Sequence, residues 1–275
     1  MVTPSSLIPE TPLMLFFIPL LLIGIFVLII VLVVRRLTKG SKYAQELKAK
    51  ISDGSFPKEQ FQELDKLITE KGGLQRDLLS ANEWYGTIGT ISYSLSRSTR
   101  ANLYAGSDDH LPSAMTDMRF YLSIGGFGPA SLRRLVGIIA TKMLKDDITL
   151  TMLDGEFTVR LNGEVLGVVD IVGKRILDKD QKPVAELITP SNLYISSING
   201  FRREVSWKAV FGEGKEAKLL SQKGNINPFK NVANIPVAEL SPELSKEERA
   251  LVFGFYMFLK LQSLLNPNNY RSISS

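Results

Sequence analysis

The sequence predicts a single-pass membrane protein: an N-terminal transmembrane helix, a short helical hairpin, then an α+β domain. That domain is dominated by an antiparallel β meander or barrel with a buried C-terminal helix. Three observations predict this class. Residues 11 to 34 carry no charge. From Ile148 to about Leu240 apolar and polar residues alternate with period two, punctuated by Asp154-Gly155, Asn162-Gly163 and Asn199-Gly200. Near the end, SKEERALVFGFYMFLKLQSLL sets an almost unbroken apolar run behind a charged lead.

The first segment reads PLMLFFIPLLLIGIFVLIIVLVVRR. As a helix it reaches about 34 Å, enough for a hydrocarbon core of about 30 Å. A cleaved signal peptide would want positive charge before a shorter core. Here Glu10 precedes the core and Arg35-Arg36 follow it, so residues 12–34 are expected to be a retained span after a short tail, 1–11.

Residues 35 to 50 carry Arg35, Arg36, Lys39, Lys42, Lys48 and Lys50 against Glu46, which is the whole of the net charge of +5. The remainder is balanced, so no broad nucleic-acid-binding face is expected. The positive-inside rule puts the N-terminus outside and everything from residue 35 in the cytoplasm. The same cations, Arg35, Arg36, Lys39 and Lys42, are candidates to meet anionic headgroups.

The juxtamembrane segment and hairpin are expected over 35–73. Tyr43, Leu47 and Ile51 form one helical stripe, ended by Asp53-Gly54. Ser55 and Pro57 mark a second start, with Phe61, Leu64, Leu67 and Ile68 as its stripe and Gly72-Gly73 closing it. The pattern Leu47, Ile51, Gly54, Phe56, Glu59, Phe61, Leu64, Leu67 resembles the SHOCT-type hairpin. That resemblance implies association; a plain spacer hairpin fits the same spacing.

A mixed region, 74–145, follows. WYGTIGTISYSL reads as a strand and SRSTRANLYAGSDDHLPSA as loop. The only histidine, His110, follows Asp108-Asp109 there and reads as solvated rather than as a metal ligand. The chain has no cysteine, which excludes disulfides, thiolate metal sites and cysteine nucleophiles. In RFYLSIGGFGPASLRRLVGIIATKML, a strand is expected to meet glycines and a helix to follow. That helix carries Leu132, Leu135, Val136, Ile139 and Met143 on one face. Gly126 to Ser131 nearly fits a dinucleotide-binding turn, but its third glycine is Ser131 and no strand–helix alternation follows. A strand-to-helix bend accounts for it, and no cofactor is expected.

The β domain is expected over 146–266, with a disordered tail at 267–275. Asn162-Gly163 between alternating runs is a hairpin signal. Phe157, Val159 and Leu161 face one side. Val205, Trp207, Ala209 and Phe211 are expected to point inward and Arg202, Glu204, Ser206 and Lys208 outward. About seven or eight strands are expected in this stretch. The last run, between Arg249 and Lys260, spans about 15 Å of helix, half a bilayer. Leu251 to Leu259 is apolar on every side, so the helix is expected to be buried all round. Ser245 with Glu248 reads as a capping box.

DGEFTVRLNGEVLGVV, ILDKDQKPVAEL and the terminal EERALVFGFYMFLKL resemble the tubby-like, LURP-one and phospholipid-scramblase superfamily. The resemblance implies a twelve-stranded barrel around a C-terminal helix. It also implies contact with anionic lipid or phosphoinositide through surface Lys and Arg. Candidates are Lys174, Arg175, Arg202, Arg203 and Lys208, assisted by the juxtamembrane cluster.

The expected function is therefore a membrane-anchored, non-catalytic module that binds anionic lipid. The alternative is a membrane-tethered scaffold that forms a homo-oligomer through residues 43–70 and recruits a protein partner. No general acid, base and nucleophile stand at readable spacing, so no catalytic residue is assigned.

Overall fold

The computed structural model describes residues 14–52, 58–86, 98–122, 135–153, 156–190, 194–198, 201–223 and 235–265. Compact units divide the chain at Glu46/Leu47. The expected tails 1–11 and 267–275, and the glycine turn at 126–131, lie outside the described residues.

Helix α1 runs from Met14 to Ser52, past that division, without a break at Val34. It continues through Arg35, Arg36, Lys39 and Lys42. Among the described residues no helix is long and apolar enough to cross a membrane. The single-pass class and the orientation built on it, N-terminus outside and C-terminal domain cytoplasmic, are corrected accordingly.

The second unit is a β-barrel. Strands β1 (Glu83–Gly86), β2 (Ser98–Tyr104), β3 (Ala114–Leu122), β4 (Leu135–Met143) and β5 (Asp147–Leu153) come first. β6 (Glu156–Leu161), β7 (Glu164–Asp170), β8 (Arg175–Asp178) and β9 (Pro183–Ile188) continue the meander. β10 (Tyr194–Ile198), β11 (Phe201–Phe211), β12 (Glu216–Lys223) and β13 (Ile235–Leu240) complete it. Every pairing among the described residues is antiparallel, and β13 returns to β1. β11 pairs with β9, so twelve strands close the ring and β10 hangs from β11 alone. Closure removes the free edges that an open sheet would present.

Helix α3 (Lys246–Leu265) fills the ring. Phe253, Phe255, Met257 and Phe258 are fully buried, as are the strand residues Phe157, Val159 and Ala209 around them. Phe258 meets Phe157 at 4.4 Å between ring centroids, Phe253 meets Trp84 at 5.8 Å, and Phe255 meets Trp207 at 5.5 Å. All three are edge-to-face, the arrangement the ring quadrupoles favour.

The helix starts on a reciprocal cap. Ser245 N–H donates to Glu248 Oε2 at 2.7 Å, and Glu248 N–H donates to Ser245 Oγ at 3.2 Å. Buried Arg249 donates to the carbonyls of Leu244, Ala81, Ser241 and Pro242 and to Asn82 Oδ1. One guanidinium thus ties the helix entrance to the segment before β1. Burial lowers the pKa of that guanidinium.

The helix expected over 130–144 is corrected to strand β4, paired with β3 from Leu122↔Leu135 to Ala114↔Met143. Leu132 lies outside the described residues. Ile139 and Met143 join the main core, whereas Ala140 is buried on the other face, beneath a helix. A strand covered on both faces reads as a continuous apolar run, and its spacing mimics a helical stripe. The covering helix is α2 (Lys58–Glu70), whose Leu64 packs on Met115 and Ala140 with Phe61, Leu67 and Ile68 around it.

The alternation expected from Val205 to Phe211 is broken by a register shift between Val205 and Trp207. Trp207, Ala209 and Phe211 stay with the core, while Val205 is buried outside it.

Candidate functional site

The turn between β7 and β8 gathers the most distinctive surface chemistry of the barrel. Asp170 ends β7 and Arg175 begins β8. Asp170 Oδ1 accepts the Gly173 N–H at 2.8 Å, and its Oδ2 accepts Arg175 Nε–H at 3.0 Å. Lys174 takes a left-handed conformation, φ 52°, and its carbonyl accepts the Leu187 N–H at 2.7 Å. Gly173 leaves no room for a side chain, since a Cβ there would lie 2.3 Å from Asp170 Oδ2.

This bonding pushes Val172 outward. Its side chain is 78% exposed, the highest value among the described large apolar residues. Lys174 and Arg175 flank it and are exposed. On the neighbouring strand Ile188 is also exposed, directly opposite Lys208 on β11. An apolar tip thus stands beside two cations, with a second apolar residue and a third cation on adjacent strands.

The structure distributes the candidate cations unevenly. Lys174 and Arg175 share the turn, and among the described residues no carboxylate pairs with Lys174. Arg175 is engaged by Asp170. Lys208 is held by Glu216 at 3.2 Å, which neutralises it. Arg202 and Arg203 stand opposite Lys223 and Gln222 on β12, about 20 Å along β11 from Lys208. They therefore do not join the turn in one patch, and their side chains lie outside the described residues. In the other unit, Lys42 is exposed, and the side chains of Arg35, Arg36 and Lys39 are outside the described residues.

Sequence reasoning missed Val172, Ile188 and Asp170. A signal existed for the first: Ile171-Val172 is an apolar pair inside a tight turn, where polar residues are the rule. Among the described residues no group of three or more His, Cys, Asp or Glu is placed to hold a metal. His110 is exposed, in the connection between β2 and β3.

Comparison with models of known families, with curated proteins and with solved structures finds no match for this chain. The twelve-stranded antiparallel barrel is compatible with a tubby-like fold without confirming that relationship.

Proposed function

We propose that the barrel is a binding module whose β7–β8 turn makes peripheral contact with anionic lipid, phosphoinositide included. The observation that carries this reading is Val172, exposed at the tip of a rigid turn and flanked by Lys174 and Arg175. An apolar tip can enter the headgroup–acyl boundary while cations meet phosphates. Each basic residue near an anionic surface contributes about 1 kcal/mol. Lys174 and Val172, with Arg175 already shared with Asp170, therefore support a weak, reversible and salt-sensitive contact. The scaffold alternative finds less support, because the Phe61, Leu64, Leu67, Ile68 stripe already packs against the barrel.

Co-sedimentation of the full chain with neutral and anionic liposomes across a salt series tests the reading. Lys174→Ala with Arg175→Ala is expected to remove most of the salt-dependent binding. Val172→Ser is expected to weaken what salt leaves. Wild type and both variants binding anionic liposomes equally would reject the turn as the contact.

A further inference from the structure

α2 rests on the outer face of β3 and β4, outside the hydrogen-bonded ring. Its apolar cluster, centred on Leu64, Met115 and Ala140, is separate from the barrel's main core. Around that cluster, cations from three consecutive strands face carboxylates of the helix. Arg119 on β3 meets Glu63 at 2.9 Å, Arg100 on β2 meets the same carboxylate at 3.6 Å, and Lys142 on β4 meets Asp65 at 3.4 Å. Lys142 also lies 5.8 Å from the Phe61 ring centroid. Beneath them, Gln60 Nε2–H donates to buried Asp117 Oδ2 at 2.9 Å.

We infer that the outer face of β3 and β4 is a docking surface for an acidic amphipathic helix of a partner protein, which α2 occupies as a built-in competitor. The ligand chemistry is written in α2 itself. It is an apolar stripe at i, i+3 and i+7, carboxylates beside the stripe that meet the three cations, and an amide donor that reaches Asp117. This is helix-in-groove recognition with a charged rim.

Two features make α2 removable. Its C-terminal end is capped within itself, Gly72 N–H donating to the Thr69 carbonyl and Gly73 N–H to the Ile68 carbonyl, so that cap does not depend on the barrel. Its ion pairs are partly exposed, Glu63 and Arg100 at 51% and Arg119 and Lys142 at 25% and 28%, so salt screens them in part. The tether holds α2 at an effective concentration in the millimolar range. The face is therefore covered by default, and a partner competes only when the cover is weakened or the partner binds more tightly.

The test uses the full chain and a labelled peptide of residues 58–70. The peptide is bridged between positions 62 and 66, on the exposed side, so that its helix is preformed. A chain carrying Phe61→Ala and Leu64→Ala is expected to bind it at least tenfold more tightly than wild type. Adding Arg119→Glu to that chain is expected to cost at least tenfold, as is raising salt. A peptide with Glu63→Lys and Asp65→Lys is expected not to bind. A second chain, carrying Glu63→Lys and Asp65→Lys, loosens only the charged rim and guards against failure of the first to fold. Fluorescence of Trp84 and Trp207 reports the intact barrel. If both chains keep that signal and neither captures the peptide, the inference is overturned. Loss of the barrel in both overturns it equally, since a cover must be removable.

Discussion

Gly254 on α3 stands directly against Val159 on β6. A methyl group on Gly254 would lie 2.5 Å from Val159 Cγ2, well inside contact distance. The helix sits as close to this strand as its backbone allows, and valine has no flexible end that can yield. Gly254→Ala gains helix propensity worth about 1 kcal/mol but overpacks a filled core, at a cost of about 1–3 kcal/mol. The expected outcome is a lower unfolding midpoint in denaturant. Combining it with Val159→Ala, which opens the contact, should recover part of the loss. A Gly254→Ala chain more stable than wild type would show that the helix can shift within the barrel.

Alkaline pH is expected to destabilise the fold through three groups held protonated in the native state. Tyr256 is raised by burial, with Lys260 opposing more weakly. The Lys246 ammonium is raised chiefly by its hydrogen bond to Asp146 Oδ1, 2.7 Å away. For Lys142 burial pulls downward, and the charges and hydrogen bonds of Asp147 and Asp65 outweigh it. A group whose folded pKa lies above its unfolded value stabilises fully below the unfolded value. That contribution is lost as pH rises through the folded value. Unperturbed Tyr and Lys titrate near about 10 and 10.4, so stability should fall from about pH 10 upward. Tyr256→Phe should flatten the fall, as read by denaturant titrations at successive pH values. An unchanged slope would locate the alkaline loss elsewhere.

What the sequence made legible was local. Ser245 and Glu248 sit three residues apart and bond each other as a capping box does. Phe157, Val159 and Leu161 alternate and share the core face. Leu251 to Phe258 is apolar all round and buried all round. What stayed hidden was non-local. β4 reads as a helix because Ile139 faces α3's side of the sheet and Ala140 faces α2, and no window on the sequence shows two coverings. Closure depends on β11 passing over β10 to reach β9, a choice that neither strand's composition reveals. The cations fared similarly. Lys174 and Arg175 are neighbours in both sequence and space. Lys208 came near them only through the β9–β11 pairing, while Arg202 and Arg203, on the same strand as Lys208, stand apart. Asp146 and Lys246 meet across 100 residues, so no spacing rule finds them.

Inside the barrel, Thr116 on β3 and Thr141 on β4 pair directly across the ladder, and their hydroxyls lie 2.9 Å apart. Both side chains are buried, 1% and 0% exposed. Each is the other's hydrogen-bonding partner in an otherwise apolar neighbourhood that includes Met118, Ile139 and Met143. Changing one to valine keeps the volume but strands the other hydroxyl without a partner, at a cost of about 1–3 kcal/mol. Changing both removes the stranded group together with the bond. Replacing both partners by apolar groups of the same shape is often nearly neutral. Thr116→Val and Thr141→Val are therefore each expected to destabilise, and the double variant to be clearly more stable than the sum of the two losses. A double-mutant cycle on denaturant midpoints measures the difference. Additive losses would mean that each hydroxyl finds a backbone carbonyl when its partner is gone, and that the pair contributes nothing as a pair.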